Sequence, residues 1–216
     1  MRKVLVHTYD NIISLENLLL SWNEFIKGKR KRKDVMEFSL LLSKNIFSLY
    51  EDLKNKTYIH STYTAFKIND PKPRDIHKAL VRDRLVHHAI YRVLYPYFDK
   101  KFIYDSYSCR INKGTHKALD RFQYFTRKVS HNNTRTCFVL KCDIKKFFAS
   151  IDHQVLKSIN SRHMPEFCTL WLLNNIIDSF HTHSELSLTM SMEKGLPLGN
   201  LTSQLLVNVY MNEFDQ

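Results

Sequence analysis

The sequence predicts an α+β fold in which helices dominate. Hydrophobic residues make up 44% of the 216 residues, which is enough for a sizeable core. Apolar residues recur at helical spacing through most of the chain, whereas a few short stretches rich in aromatic and β-branched residues indicate strands. The predicted order is helices, a hairpin, helices, a strand and further helices, which is typical of the α+β class.

Two helices are predicted near the N-terminus. Residues 12–26 place leucines and aromatic residues at helical spacing, and Gly28 follows. Asp34 is a candidate N-cap for a second helix, which extends to about Lys54.

A hairpin and a long helix are predicted next. Residues 57–68 have strand character, residues 69–73 have the Asx and proline residues of a turn, and residues 74–79 are the expected returning strand. A helix is then expected from Val81 to Tyr95, and Pro96 is expected to end it.

The middle of the chain is predicted to lead into a buried strand. An irregular stretch over 98–109 precedes a helix from about 115 to 129, for which Thr115 is the candidate N-cap. A polar loop over 130–136 follows. The apolar run Phe138-Val139-Leu140 has the length and composition of a buried strand.

The C-terminal part is again mostly helical in prediction. Asp152 is interpreted as the cap of a short helix, and Pro165 opens the next one. Residues 186–192 alternate weakly and suggest a short strand. The segment Gly195-Leu196-Pro197-Leu198-Gly199 is predicted to be a turn that permits close approach of the backbone, and residues 202–214 a last helix.

The charge favours a polyanionic partner. The net charge is +12 and the pI is about 9.5, which indicates nucleic acid first and an anionic membrane surface second. The run Lys27 to Lys33 includes Lys29, Arg30 and Arg32; a contact to phosphates and a solvated loop are equally good interpretations of it.

Because no basic amphipathic helix and no apolar run of membrane-spanning length occurs, we expect a cytoplasmic protein without a membrane partner. None of the four cysteines forms a Cys-x-x-Cys pair, so neither a zinc site nor a redox motif is indicated.

Asp143 is the first candidate for chemistry. It follows the predicted strand, and Phe147 and Phe148 come soon after it. A carboxylate at the tip of an apolar strand is costly to bury unless a cation pairs with it, so the sequence suggests a divalent-metal site.

Four blocks, in order, carry a resemblance to bacterial reverse transcriptases. They are Asp83 to Ala89, Phe102 to Ala118, the stretch Asp143-Ile144-Lys145-Lys146-Phe147-Phe148-Ala149-Ser150-Ile151-Asp152-His153, and Gly195 to Gln204. The first two resemble fingers motifs and the last two resemble palm motifs. The type most similar is that of diversity-generating retroelements, followed by the retron and group II intron types, because Leu198 and Ser203-Gln204 stand where most of the family has Gln before the glycine and Ser-Pro after it.

The resemblance implies a right-hand polymerase with residues 1–135 forming N-terminal helices and fingers and residues 136–216 forming a partial palm, with the thumb absent. The family's Tyr/Phe-x-Asp-Asp hairpin is not found in these residues, so the chain is expected to be an N-terminal fragment that is inactive by itself. A bacterial or phage-encoded enzyme is implied, with an RNA template, a DNA primer, a deoxynucleoside triphosphate and an accessory nucleic-acid-binding protein as partners.

Roles for particular residues also come from the resemblance. The Asp143 carboxylate and the Ile144 carbonyl would bind Mg²⁺, two ions being expected in the complete enzyme. Phe148 would exclude a ribose 2′-hydroxyl. The other implied contacts are Arg74, Arg82 and Arg84 to the triphosphate, Leu198 and Gly199 to the nascent base pair, and Arg110, Lys113, Asn200 and Gln204 to nucleic acid.

Alternatives stay open at this point. Arg84 could instead pair with Asp83 or with another acid. The chain could belong to a retron, a group II intron or a phage-defence enzyme, or could be a non-catalytic nucleic-acid-binding module of the same fold.

Overall fold

The computed structural model describes residue 5 and residues 8–69, 73–182 and 193–216. Within them the chain forms ten helices and one antiparallel pair of strands. In chain order these are α1 (Thr8–Ile13), α2 (Leu15–Phe25), α3 (Lys33–Leu40), α4 (Leu42–Lys54), β1 (Thr64–Asn69), β2 (Pro73–Lys78), α5 (Val81–Asp99), α6 (Thr115–Val129), α7 (Phe147–Ser150), α8 (His153–His163), α9 (Phe167–Asp178) and α10 (Leu201–Asp215). The centre of the predicted turn at 70–72 and the predicted strand at 186–192 lie outside the described residues.

The N-terminal helices are more divided than the apolar spacing predicts. Ser14 has an extended backbone, and its hydroxyl accepts a hydrogen bond from the Asn17 amide, so α2 starts anew after α1. Arg32, not Asp34, is the N-cap of α3. The prediction for Asp34 was wrong because its carboxylate bonds to basic side chains from elsewhere in the chain. The predicted second helix is also interrupted, at Leu41.

The hairpin is confirmed, with a shorter first strand than predicted. β1 and β2 pair antiparallel, from Thr64 opposite Lys78 to Asn69 opposite Pro73. Residues 57–63 are not strand.

The long helix α5 does not stop at Pro96 but continues to Asp99. Pro96 has no amide to donate to the carbonyl four residues earlier, so the helix loses that one hydrogen bond and continues. Phe98, beyond it, is 2% exposed, and its burial keeps the last turn helical. The next helix, α6, has Gly114 rather than Thr115 at its N-cap, and none of its residues is buried.

The buried strand predicted at residues 138–140 is wrong. These residues have no regular structure, and the side chains of Phe138 and Leu140 are 96% and 89% exposed. A strand requires backbone hydrogen bonds to a neighbour, and the sheet formed by the described residues contains β1 and β2 alone.

Two groups of buried apolar side chains hold the helices together. The larger core contains residues of α2 and α5, including Leu18 and Leu85, together with Leu172 of α9 and Val209 of α10. The smaller core lies beside the glycine-containing turn; its buried members are Ile151, Leu156, Ile177, Leu196, Leu206 and Val207. No helix in the described part of the chain is long and apolar enough to cross a membrane.

Candidate functional site

The segment Gly195 to Gly199, called the glycine loop below, is where the motifs meet. The Gly195 amide donates to the Ile151 carbonyl at 2.8 Å, and the Leu196 amide donates to the Phe148 carbonyl at 2.8 Å. On its other side the Leu198 carbonyl accepts from the His77 amide at 3.0 Å. The loop therefore joins strand β2 of the hairpin to the segment that follows Asp143.

Both glycines of the loop are needed for its geometry. Their φ angles are +103° at Gly195 and +112° at Gly199, which side-chain-bearing residues rarely adopt. A Cβ atom on Gly195 would lie 2.7 Å from Thr182 Cγ2, and one on Gly199 would lie 3.1 Å from Ile76 Cγ2. The prediction of a close-approach turn is confirmed.

The start of α8 is joined to the chain just before the loop. Asp152 accepts hydrogen bonds from the Gln154 and Val155 amides, which confirms the predicted cap. The His153 amide donates to the Glu193 carbonyl at 3.1 Å. The backbones of Asp152 and Lys194 form an isolated antiparallel β-bridge.

Asp143 and Ile144 lie in an exposed segment without regular structure. Since Asp143 is exposed, burial of its charge gives no argument for a metal, and that part of the sequence reasoning was wrong. Among the described residues, Asp143 does not belong to a close group of three potential metal ligands; the one such group is His153, Asp178 and Glu193. At this position the chain would offer an ion the Asp143 carboxylate and the Ile144 carbonyl as oxygen ligands.

Phe148 is half-buried in α7 and packs, like Phe147, against the smaller core. The two rings meet edge to face with centroids 6.3 Å apart. Because the Phe148 carbonyl also accepts from Leu196, its backbone position is tied to the glycine loop.

Two of the three arginines predicted to bind triphosphate have acidic partners within the chain. Arg82 pairs with Asp52 at 2.5 Å. Arg84 pairs with Asp34, which confirms the alternative that an acid other than Asp83 holds it. Arg74 is exposed on β2, opposite Ile68.

Asp34 joins the hairpin of β1 and β2 to α5 through these charges. Its carboxylate contacts Lys78 Nζ at 2.7 Å as well as Arg84. Burial alone would raise the pKa of the Asp34 carboxyl, but the bonds from Lys78 and Arg84 outweigh it and hold the pKa below its ordinary value. The sequence offers no signal for this pairing, since Asp34 and Arg84 are far apart along the chain.

The basic residues predicted to contact nucleic acid divide into two kinds. Arg30 and Arg32 are exposed, whereas Lys29 lies over the Phe25 ring at 4.6 Å. Partial burial, together with Arg84 and Arg32 nearby, lowers the pKa of Lys29. The Arg110 side chain is only 6% exposed.

The guanidinium group of Arg110 donates its hydrogen bonds to other groups of the same chain. Its Nε donates to the Asp99 carboxylate at 2.8 Å, and its Nη atoms donate to the carbonyls of Ile103, Ser106 and Asp99. This arrangement favours a structural role over contact with nucleic acid. Lys113 Nζ bonds to the Tyr104 carbonyl at 2.6 Å and lies 3.7 Å from the centre of its ring.

Asn200 belongs to the junction rather than to an open surface. Asn200 is buried at the N-cap position of α10, and its Nδ2 donates to the His77 carbonyl at 3.4 Å. Gln204 is half-buried on α10. Asn200 therefore braces the glycine loop against β2.

Sequence reasoning missed a buried polar chain between the segment Asp83 to Ala89 and α10. His87 Nδ1 lies 2.6 Å from Thr202 Oγ1, and its Nε2 lies 3.2 Å from His60 Nε2. Burial lowers the pKa of both histidines, so they are neutral at neutral pH. The buried Asp83 accepts from Tyr58 Oη at 2.8 Å. The pairing of His87 with Thr202 has no local signal in the sequence.

Comparison of the sequence with known protein families gives a match over most of the chain. The model of the family described as reverse transcriptase (RNA-dependent DNA polymerase) matches residues 67–216, which is more than half of the chain. The chain therefore belongs to the reverse transcriptase family, whose members are generally nucleotidyltransferases that depend on divalent metals. The helix-rich α+β fold of fingers and palm is confirmed.

The chain is similar in sequence to parts of longer proteins. The chain is 27% identical over 136 residues to Protein YkfC of Escherichia coli (strain K12), covering 63% of this chain and 35% of that one. It is 26% identical over 180 residues to the group II intron-encoded protein LtrA of Lactococcus lactis subsp. cremoris, covering 79% and 28%. The chain thus spans about a third or less of the length of these relatives.

A solved structure shares the fold. A chain of a partial Cas6-RT-Cas1–Cas2 complex matches with a TM-score of 0.63 at 19% identity, covering 96% of this chain and 34% of that one.

Proposed function

We propose that this chain forms the fingers and the first part of the palm of an RNA-directed DNA polymerase. In this proposal, residues 1–135 belong to the N-terminal helices and fingers and residues 136–216 to the palm. The observation that carries it is the junction at the glycine loop, where backbone hydrogen bonds join β2 to the segment that follows Asp143. A template and nascent base pair beside Leu198 would thus be contacted by both parts.

The reaction proposed is the addition of deoxynucleotides to a DNA primer on an RNA template. Mg²⁺, when bound, would lower the charge barrier to attack of the primer hydroxyl on the triphosphate. Asp143 and the Ile144 carbonyl would supply oxygen ligands for it. The exposed Arg74 has no acidic partner among the described residues, so its guanidinium group would donate hydrogen bonds to phosphate oxygens. A further protein partner is part of the proposal, since the related structure is named as a complex with Cas6, Cas1 and Cas2.

The test is template-dependent incorporation by the complete gene product. Asp143→Asn is expected to abolish incorporation, because an amide cannot replace a charged metal ligand. The matched control is Asp152→Asn, which keeps a good N-cap and should keep activity. Residues 1–216 alone are expected to be inactive because the family's Tyr/Phe-x-Asp-Asp hairpin is not found in them. Full activity of Asp143→Asn would overturn the proposal.

Leu198 supports assignment to the type found in diversity-generating retroelements. Leucine removes a hydrogen-bond donor where most of the family has glutamine, so selection of the base pair should be looser. Leu198→Gln in the complete enzyme is expected to lower misincorporation several-fold, as measured by sequencing the complementary DNA. Its control is Leu196→Met, a conservative change in the smaller core. An unchanged error spectrum in Leu198→Gln would argue for a group II intron type, which the similarity to LtrA favours.

A further inference from the structure

We propose that His153, Asp178 and Glu193 form a Zn²⁺ site that fastens the glycine loop to helices α8 and α9. His153 is the first residue of α8, Asp178 is the last residue of α9, and Glu193 stands two residues before Gly195. One ligand atom from each lies within 4.8 Å of the other two. The site is separate from Asp143 and does not depend on the proposed polymerase activity.

The His153 ring is oriented for metal binding. It is fully buried, and its Nε2 lies 2.7 Å from the Gly195 carbonyl oxygen. Because a carbonyl can only accept, Nε2 must carry the proton, which leaves a lone pair on Nδ1. No atom of the described residues forms a hydrogen bond with that Nδ1. A histidine whose other N–H is held by a backbone carbonyl is the usual arrangement at a metal.

The two carboxylates can close around an ion. The nearer oxygen of Asp178 is 3.8 Å from His153 Nδ1. The side chains of Asp178 and Glu193 are 42% and 53% exposed, so they can move by the roughly 1 Å that ligand bonds of about 2.0–2.2 Å require. The exposed His181, whose ring centroid is 5.4 Å from that of His153, is within reach as a fourth ligand. A set with imidazole nitrogen suits Zn²⁺ better than Mg²⁺, which prefers oxygen ligands.

Lys157 competes with the ion for these carboxylates. Its ammonium lies 2.5 Å from Asp178 Oδ1 and 3.9 Å from Glu193 Oε2. Bound Zn²⁺ would displace this ammonium, and the partly exposed lysine on α8 can turn towards solvent. Removing the positive charge of Lys157 should therefore strengthen binding, a response that a purely structural ion pair would not give.

The experiment is calorimetric titration of the 216-residue chain with Zn²⁺ in excess Mg²⁺, with the melting temperature as a second readout. We expect one Zn²⁺ per chain and a rise in melting temperature. Asp178→Asn and Glu193→Gln should each weaken binding at least about tenfold, and Lys157→Gln should strengthen it. Glu37→Gln, at an exposed carboxylate elsewhere, and Asp143→Asn should leave it unchanged.

Two results would overturn the site. One is the absence of one-to-one binding by the natural chain, whether or not Lys157→Gln binds. The other is binding that both Asp178→Asn and Glu193→Gln leave unchanged. Since Asp143→Asn is titrated in parallel, failure of the zinc site and failure of the proposed catalytic carboxylate are distinguished.

Discussion

At the scale of single residues, Phe148 combines a ring that is predicted to exclude a ribose 2′-hydroxyl with a backbone that supports the glycine loop. Its ring packs against the smaller core, and its carbonyl accepts from Leu196. A side-chain truncation would therefore remove the ring while leaving that backbone bond in place.

We predict that Phe148→Ala in the complete enzyme raises ribonucleotide incorporation, because the ring that would exclude a 2′-hydroxyl is gone. Loss of a half-buried ring should also lower the free energy of unfolding by about 2 kcal/mol. The measurement is the ratio of deoxynucleotide to ribonucleotide incorporation. Phe147→Ala, from the same core, controls for stability and should leave that ratio unchanged; equal ratios in both variants would contradict the assignment.

Residue roles were predictable from sequence where they depend on neighbours along the chain. Asp152 caps α8 through amides two and three residues ahead, which local sequence can indicate. Asp34 is also next to a helix start, yet its carboxylate is held by Lys78 and Arg84. Long-range pairing decided its role, and no local pattern contains that information.

At the scale of elements, the glycine loop depends on close backbone packing as well as on an unusual φ angle. A comparison of Gly195 with Gly114 distinguishes the effect of the φ angle from the effect of close packing. Their φ angles are +103° and +106°, but a Cβ would meet Thr182 at Gly195 and nothing within 4 Å at Gly114.

We predict that Gly195→Ala destabilises the chain by about 1–3 kcal/mol more than Gly114→Ala does. Both variants carry a similar conformational cost, and the difference is the overpacking against Thr182. Denaturant unfolding of the two variants measures it. Equal losses would mean that Thr182 moves aside freely, and the loop would then not be sterically fixed.

The helices and the hairpin were predictable from sequence because their hydrogen bonds form within one segment or between adjacent segments. The hairpin forms from adjacent segments that satisfy each other, and the helices form from their own hydrogen bonds and apolar faces. The apolar run at 138–140 has strand composition, but its structure depends on a partner strand, and its residues are exposed here. Composition indicates what a segment can pair with, not whether the partner is beside it.

At the scale of the whole molecule, the positive charge is only partly balanced internally. Arg82, Arg84, Arg110 and Arg121 all pair with aspartates. Arg30 and Arg32 are exposed, and no ion pair of theirs occurs among the residues that the structure describes. The positive charge that remains available to a polyanion therefore includes Arg30 and Arg32, in the loop before α3.

We predict that the chain binds nucleic acid with strong salt dependence and that Arg30→Gln/Arg32→Gln weakens this dependence. Removing one contact to a phosphate should reduce the slope of log K against log salt by about 0.9, so the slope of the double variant should fall by about 2. Fluorescence anisotropy with a labelled RNA–DNA duplex at several salt concentrations measures the slope. Lys44→Gln/Lys100→Gln removes the same charge from exposed positions elsewhere. If both double variants lower the slope equally, net charge alone explains binding and the loop is simply solvated; a decrease confined to the Arg30 and Arg32 variant identifies the loop as a phosphate-binding segment.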